Sequence, residues 1–180
     1  LKTAKAPTIS EIQSELRKSE DYVVQTLTKL EERDVLVRKE GTREIINVYP
    51  FSLVPTEHRL VLEDGKVLFA MCAIDALGMP NMFLRNAKTI SKCTKCKQEI
   101  TIEVKNGVIA RLSHPHTVVW HQKTQKTTKA TQTMCPYTKY FCCREHLEEF
   151  RSSGEAIDVM QEFPTKWENW RHYGEILGFR

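Results

Sequence analysis

The stretch Val67-Leu68-Phe69-Ala70-Met71-Cys72-Ala73-Ile74-Asp75-Ala76-Leu77 decides how this chain is laid out. Just before it stands Asp64-Gly65, a strong two-residue hairpin turn. Lys66 to Ala70 therefore reads as the second strand of a hairpin, with Arg59 to Glu63 as the first. Past Met71 a helix is expected, starting near Cys72 and stopping at Gly78, with Pro80 just beyond its end. Apart from Cys72 and Asp75, nothing in the stretch can ionise. A lone carboxylate in apolar surroundings is costly to bury and needs a reason to be there. On a helix, positions i and i+3 share a face, so the thiol and the carboxyl point at one place. Such a pair offers a soft nucleophile beside a proton donor. The plainer readings are a small buried thiol and a carboxylate that ties backbone amides together.

Upstream, the first fifty residues read as a winged helix. Thr8-Ile9-Ser10-Glu11 is a capping box, followed by Ile9, Ile12 and Leu16 at helical spacing. Ser19 can cap a second helix with Val23, Val24, Leu27 and Leu30 on its apolar face. Val35 to Val37 and Ile45 to Tyr49 flank Gly41-Thr42 as a β-hairpin wing, and Pro50 to Pro55 reads as a linker. Downstream, Thr89 to Ser91, Glu99 to Val104 and Val108 to Leu112 are strand-like, with a turn at Asn106-Gly107. Glu145 to Arg151 is helical in pattern, and the tail with Trp167, Trp170 and Phe179 is expected to pack back on the core.

With 41% hydrophobic and 28% charged residues, the 180-residue chain has the composition of a globular protein of one large or two small domains. No apolar run approaches the roughly 20 residues that span a bilayer. The opening residues show no signal-peptide pattern, and a cytoplasmic location without membrane attachment is expected. The net charge is +4, yet residues 1–50 hold as many acids as bases. The would-be recognition helix sets Glu20, Asp21, Glu31 and Glu32 against Lys29 and Arg33. A DNA module needs a basic stripe to neutralise phosphates, so the winged helix is expected to be structural and no nucleic acid is expected as partner. Between Lys105 and Arg144 there is no acid, and the Thr/Lys/Gln run from His121 to Thr133 reads as a solvated loop.

Six cysteines in a chain of this kind point to metal binding or reactivity before disulfides. Cys93-Thr94-Lys95-Cys96 is a C-x-x-C pair; with Cys142, Cys143 and His146 it can complete a tetrahedral zinc site. This arrangement resembles treble-clef zinc sites, where Tyr-Phe-Cys precedes a helix. The other reading is spare thiols that relay a soft metal. Cys135, in Thr133-Met134-Cys135-Pro136-Tyr137, is a loop cysteine, a zinc ligand, or a second reactive thiolate across from Cys72. Soft thiolates are the preferred ligands of soft metals.

The run Leu68 to Leu77 resembles the catalytic segment of organomercurial (alkylmercury) lyases: aromatic, Ala, any residue, then Cys-Ala-hydrophobic-Asp, a small residue and Leu. Cys135 followed by Tyr140-Phe141-Cys142-Cys143 is similar to that family's second catalytic cysteine and the aromatic pair after it. The resemblance is strongest over Glu57 to Cys143. The set Cys93, Cys96, Cys142, Cys143 and His146 departs from the lyase pattern.

The residue patterns together with the resemblance give an α+β fold: a winged-helix-like structural module over residues 1–50, then a small mixed α/β catalytic, mercury-binding domain over 51–180 with antiparallel strands and a treble-clef-like element. The resemblance implies a mercury-resistance enzyme that splits carbon–mercury bonds by protonolysis, giving a hydrocarbon and Hg(II). Cys72 and Cys135 would take mercury, and Asp75 would pass a proton to the carbon. The substrate would arrive as a thiol adduct, low-molecular-weight thiols would remove the product, and a mercuric reductase would receive it. No cofactor is expected for the chemistry, beyond a structural zinc. Two readings from other classes remain: a metal-responsive winged-helix transcriptional regulator, and a non-catalytic zinc or metal-binding module.

Overall fold

The computed structural model describes residues 6–122, 129–153 and 160–163. Thr8 caps α1 (Ile9–Leu16): its hydroxyl accepts from the Glu11 amide, and the Glu11 carboxylate accepts the Thr8 amide at 2.6 Å. Two otherwise orphaned amides are thereby satisfied. Ser19 caps α2 (Glu20–Glu32), which turns Val23 and Leu27 inward. Those two meet Leu36 and Ile45 from an antiparallel hairpin, β1 (Leu36–Arg38) and β2 (Ile45–Val48), to make a small core of their own.

The expected linker contains a strand instead. In β3 (Phe51–Ser52), Phe51 pairs with Val48 on one side and Ala70 on the other. Phe51 also packs against Phe83, ring centroids 5.4 Å apart, which holds this short segment flat on the sheet. One eight-stranded sheet therefore joins the N-terminal hairpin to the strands that follow it. It adds β4 (Arg59–Leu62), β5 (Val67–Ala70), β6 (Ala87–Lys92), β7 (Glu99–Lys105) and β8 (Val108–Leu112), in the order β1-β2-β3-β5-β4-β6-β7-β8. Every neighbouring pair is antiparallel. The β4–β5 hairpin turns at Asp64-Gly65, where Gly65 takes the left-handed φ of +78° that favours glycine.

Helix α3 (Ala73–Met82) follows β5 directly and runs past Gly78, with Pro80 inside it. A proline there removes the donor that the carbonyl four residues earlier would accept. The Thr89 hydroxyl on β6 donates to that Ala76 carbonyl at 3.1 Å, so the helix continues without an orphaned group. Burial on every side also keeps α3 together: Cys72, Ala73, Ile74 and Leu77 enter one core, Ala76 and Met79 another under β4.

A second sheet, order β10-β9-β11, covers the larger core. It is built from β9 (Val118–Gln122), β10 (Lys139–Phe141) and β11 (Met160–Phe163), all antiparallel. Between β9 and β10 lie α4 (Ala130–Thr133) and a 3-10 turn, Cys135–Tyr137. The run read as a solvated loop thus ends in a helical turn, while its residues 123–128 fall outside the described ones. The tail with Trp167, Trp170 and Phe179 also lies outside them. Helix α5 (Arg144–Ser152) closes the described core with Leu147 and Phe150. The architecture is mixed α+β with antiparallel sheets, as expected. Among the described residues no helix is long and apolar enough to cross a membrane.

Candidate active site

Cys72 is the N-cap of α3, its backbone still extended, and its sulfur accepts the Asp75 amide at 3.5 Å. A thiol here holds the position usually taken by a Ser, Thr or Asp oxygen. That fixes the sulfur over the first helical turn and sets the Asp75 carboxyl beside it. Cys135 comes from the opposite side of the core, and its Sγ donates to Asp75 Oδ2 at 3.9 Å. The two sulfurs and the carboxylate all lie within 4.8 Å of one another. The three residues are 2%, 4% and 5% exposed.

What holds Cys135 there is a latch from the N-terminal region. The Thr131 amide donates to Asp34 Oδ2 at 3.2 Å and the Thr131 hydroxyl to Asp34 Oδ1; Lys129 Nζ donates to the Glu31 carbonyl at 2.9 Å. Helix α4, which ends two residues before Cys135, is thus tied to the end of α2.

Burial dominates the electrostatics. It raises the Asp75 carboxyl from 3.8 to about 6, while hydrogen bonds from the Cys72 thiol, the Tyr49 hydroxyl and the Cys135 thiol pull the other way. Burial likewise pushes the Cys72 thiol well above its ordinary value, reinforced by Cys135 and the Asp75 charge. A helix N-terminus favours a thiolate, but at Cys72 desolvation outweighs it. Asp75 is therefore poised near neutrality between two thiols and can accept a proton or give one.

Three aromatic neighbours complete the site; the sequence pattern assigned Tyr49 and His58 no role there, and Tyr140 entered only as part of the motif after Cys135. Tyr49, at the end of the β1–β2 region, hydrogen-bonds Asp75. The buried Tyr140 hydroxyl donates to the Ala73 carbonyl at 2.8 Å, bracing the first turn of α3. His58 lies edge-on to Tyr140 and pairs Nδ1 with Ser91 Oγ at 3.0 Å; burial, then Lys139, lowers its pKa to about 4, so it stays neutral. None of these contacts is local in sequence.

The other cysteines form a second group. Sulfurs of Cys93, Cys96 and Cys142 and the His146 ring share one neighbourhood, again within 4.8 Å of one another. Cys143, the N-cap of α5, is outside that group and interacts with Glu145 instead. Cys135 belongs to the first group, not the second. All six cysteines are free thiols.

The family model for alkylmercury lyase matches residues 51–169. The chain belongs to the alkylmercury lyase family. It is 28% identical over 116 residues to an alkylmercury lyase of Staphylococcus epidermidis, a match covering 64% of this chain and 49% of that protein. The chain thus spans about half the length of the curated relative it matches. In structure it is similar to the mercury-bound form of MerB2, with a TM-score of 0.80 at 23% identity over 97% of this chain and 82% of that one. That likeness shows a shared fold over 97% of this chain, more than the part the family model matches.

Proposed function

We propose that the chain is an organomercurial lyase that breaks the carbon–mercury bond by protonolysis, with Cys72, Cys135 and Asp75 as its catalytic residues. The observation that carries this is the buried convergence of two sulfurs and one carboxyl of raised pKa. Mercury is the substrate's own atom here. An R–Hg–SR′ adduct meets one thiol, whose sulfur takes mercury while its proton leaves with the carrier as R′SH. The second thiol then binds mercury and its proton passes to Asp75, whose carboxylate lies within 4.8 Å of both sulfurs. Metal binding drives such thiol deprotonation even where burial opposes it. Two sulfurs push electron density onto mercury and loosen the Hg–C bond. Asp75 hands its proton to the carbon, R–H departs, and Hg²⁺ stays on Cys72 and Cys135. Atoms and charge balance without a redox step or a resident cofactor. A structural zinc at Cys93, Cys96, Cys142 and His146 would stand outside this chemistry.

Residues 1–50 act in this reading as a winged-helix-like structural module, and residues 51–180 as the catalytic domain with a treble-clef-like element. The wing's cations are consumed internally: Arg38 pairs with Glu31 at 2.6 Å and Arg43 with Glu20. That leaves little to meet phosphates and argues against the regulator reading. Low-molecular-weight thiols would bring the substrate and remove Hg²⁺, toward a mercuric reductase in the cytoplasm.

The test is incubation with methylmercury and excess thiol, with methane measured in the headspace. Methane well beyond the amount of protein is expected. Stoichiometric mercury uptake with no methane would make the chain a binding module instead.

A further inference from the structure

Three of the four cysteines left out of the lyase chemistry converge with His146 on one point. Cys93 follows β6 and opens a tight knuckle: its amide donates to the Gln98 carbonyl at 2.8 Å and its carbonyl accepts the Lys97 amide at 3.0 Å. Lys97 is held in the left-handed region, φ +62°, which turns the chain back so that Cys96 faces the same point as Cys93. From across the core, β10 delivers Cys142 and the first turn of α5 delivers His146.

The distances suit one ion. A tetrahedral zinc with sulfur at about 2.3 Å and nitrogen at about 2.0 Å requires S···S edges of about 3.8 Å and S···N edges of about 3.5 Å. Cys96 and Cys142 sulfurs are 3.6 Å apart, and Cys93 Sγ is 3.7 Å from His146 Nδ1. The Cys142–His146 edge, 3.1 Å, needs to open by about 0.4 Å. A 3.6 Å sulfur pair is far too long for a disulfide bond of about 2.05 Å. Three sulfurs and an imidazole are the donor set of a closed structural site with no position left for substrate.

The geometry points to a structural zinc ion held by the Sγ atoms of Cys93, Cys96 and Cys142 and by His146 Nδ1. It cinches the knuckle after β6 onto the start of α5. Its reach extends to the lyase centre through one strand: the Thr94 amide donates to the Tyr140 carbonyl at 2.8 Å, and the Tyr140 hydroxyl holds Ala73. The zinc therefore braces the helix turn that carries Cys72 and Asp75. Cys96 is exposed while Cys93 is fully buried, so the ion would sit at the rim, open to chelators from one side.

The test is metal analysis of the whole chain purified without added metal, alongside cobalt(II) substitution after anaerobic stripping. About one zinc per chain is expected, together with the intense visible bands of tetrahedral thiolate-bound cobalt. Cys96→Ser should cut zinc content at least tenfold, whereas Cys143→Ser and the double variant Cys72→Ser/Cys135→Ser should keep it. Chelation of the wild type should lower the melting temperature, since zinc binding is coupled to folding. Wild-type protein that carries no zinc and gives no tetrahedral cobalt spectrum overturns the assignment, as does zinc that follows Cys72 and Cys135. None of these readouts depends on methane release, so failure here and failure of the lyase reading are distinguishable.

Discussion

Replacing Asp75 with Asn should change how stability depends on pH, in a direction set by burial. The Asp75 carboxyl titrates at about 6 in the fold against 3.8 ordinarily. Its raised pKa means the folded state holds the proton more tightly than the unfolded chain. The associated stability is present below about pH 4 and is lost as pH rises through 6. A displacement of roughly two pKa units amounts to about 3 kcal/mol. His58 works the other way: lowered from 6.5 to about 4, it contributes stability above pH 6.5 that is lost as pH falls toward 4. The two nearly cancel, so the wild type should show a shallow profile between pH 4 and 6. Asp75→Asn leaves His58 unopposed. Relative to wild type, the variant should gain about 3 kcal/mol on going from pH 4 to 6.5. Urea denaturation of mercury-free protein, followed by circular dichroism at half-unit pH steps, measures this; groups common to both proteins drop out of the difference. Parallel curves, within about 0.5 kcal/mol across that range, would refute the raised carboxyl and with it the proton donor.

Other consequences are more local. Tyr49→Phe removes a hydrogen bond that lowers the Asp75 pKa, so the pH dependence of single-turnover hydrocarbon release should move upward; an unmoved profile would leave Tyr49 without that role. Asp34→Ala should free α4 and cost about 2 kcal/mol, with a fall in kcat from a less firmly placed Cys135. Unchanged stability and turnover would count against the latch. Thr89→Val strands the buried Ala76 carbonyl inside α3, and thermal unfolding should show a loss of about 1–3 kcal/mol; an unchanged melting temperature would mean that Pro80 is accommodated in some other way.

The site was legible where its logic is helical and local. Cys72 and Asp75 are three residues apart on one turn, and the caps Thr8 and Ser19 announce their helices, so these survive translation into three dimensions. The strands β4 to β8 were readable from alternation and from Asp64-Gly65 and Asn106-Gly107. What failed depends on partners distant in sequence. Pro80 looked like a stop because its compensation sits on β6, at Thr89. Phe51 and Ser52 looked like linker because two strands are needed to hold them. Strands β9 and β10 carry no turn dipeptide between them, and β10 has only three residues. Tyr49 reaches Asp75 only because the sheet carries the N-terminal region onto α3.

The central claim is that Asp75 supplies the proton while two sulfurs hold the mercury. A single turnover of methylmercury thiolate in heavy water, with protein in excess, addresses it directly. Wild type should release singly deuterated methane and retain inorganic Hg²⁺ on the protein, in equal amounts. Asp75→Asn should retain intact methylmercury and release no methane. Deuterated methane from that variant at the wild-type rate would contradict the account.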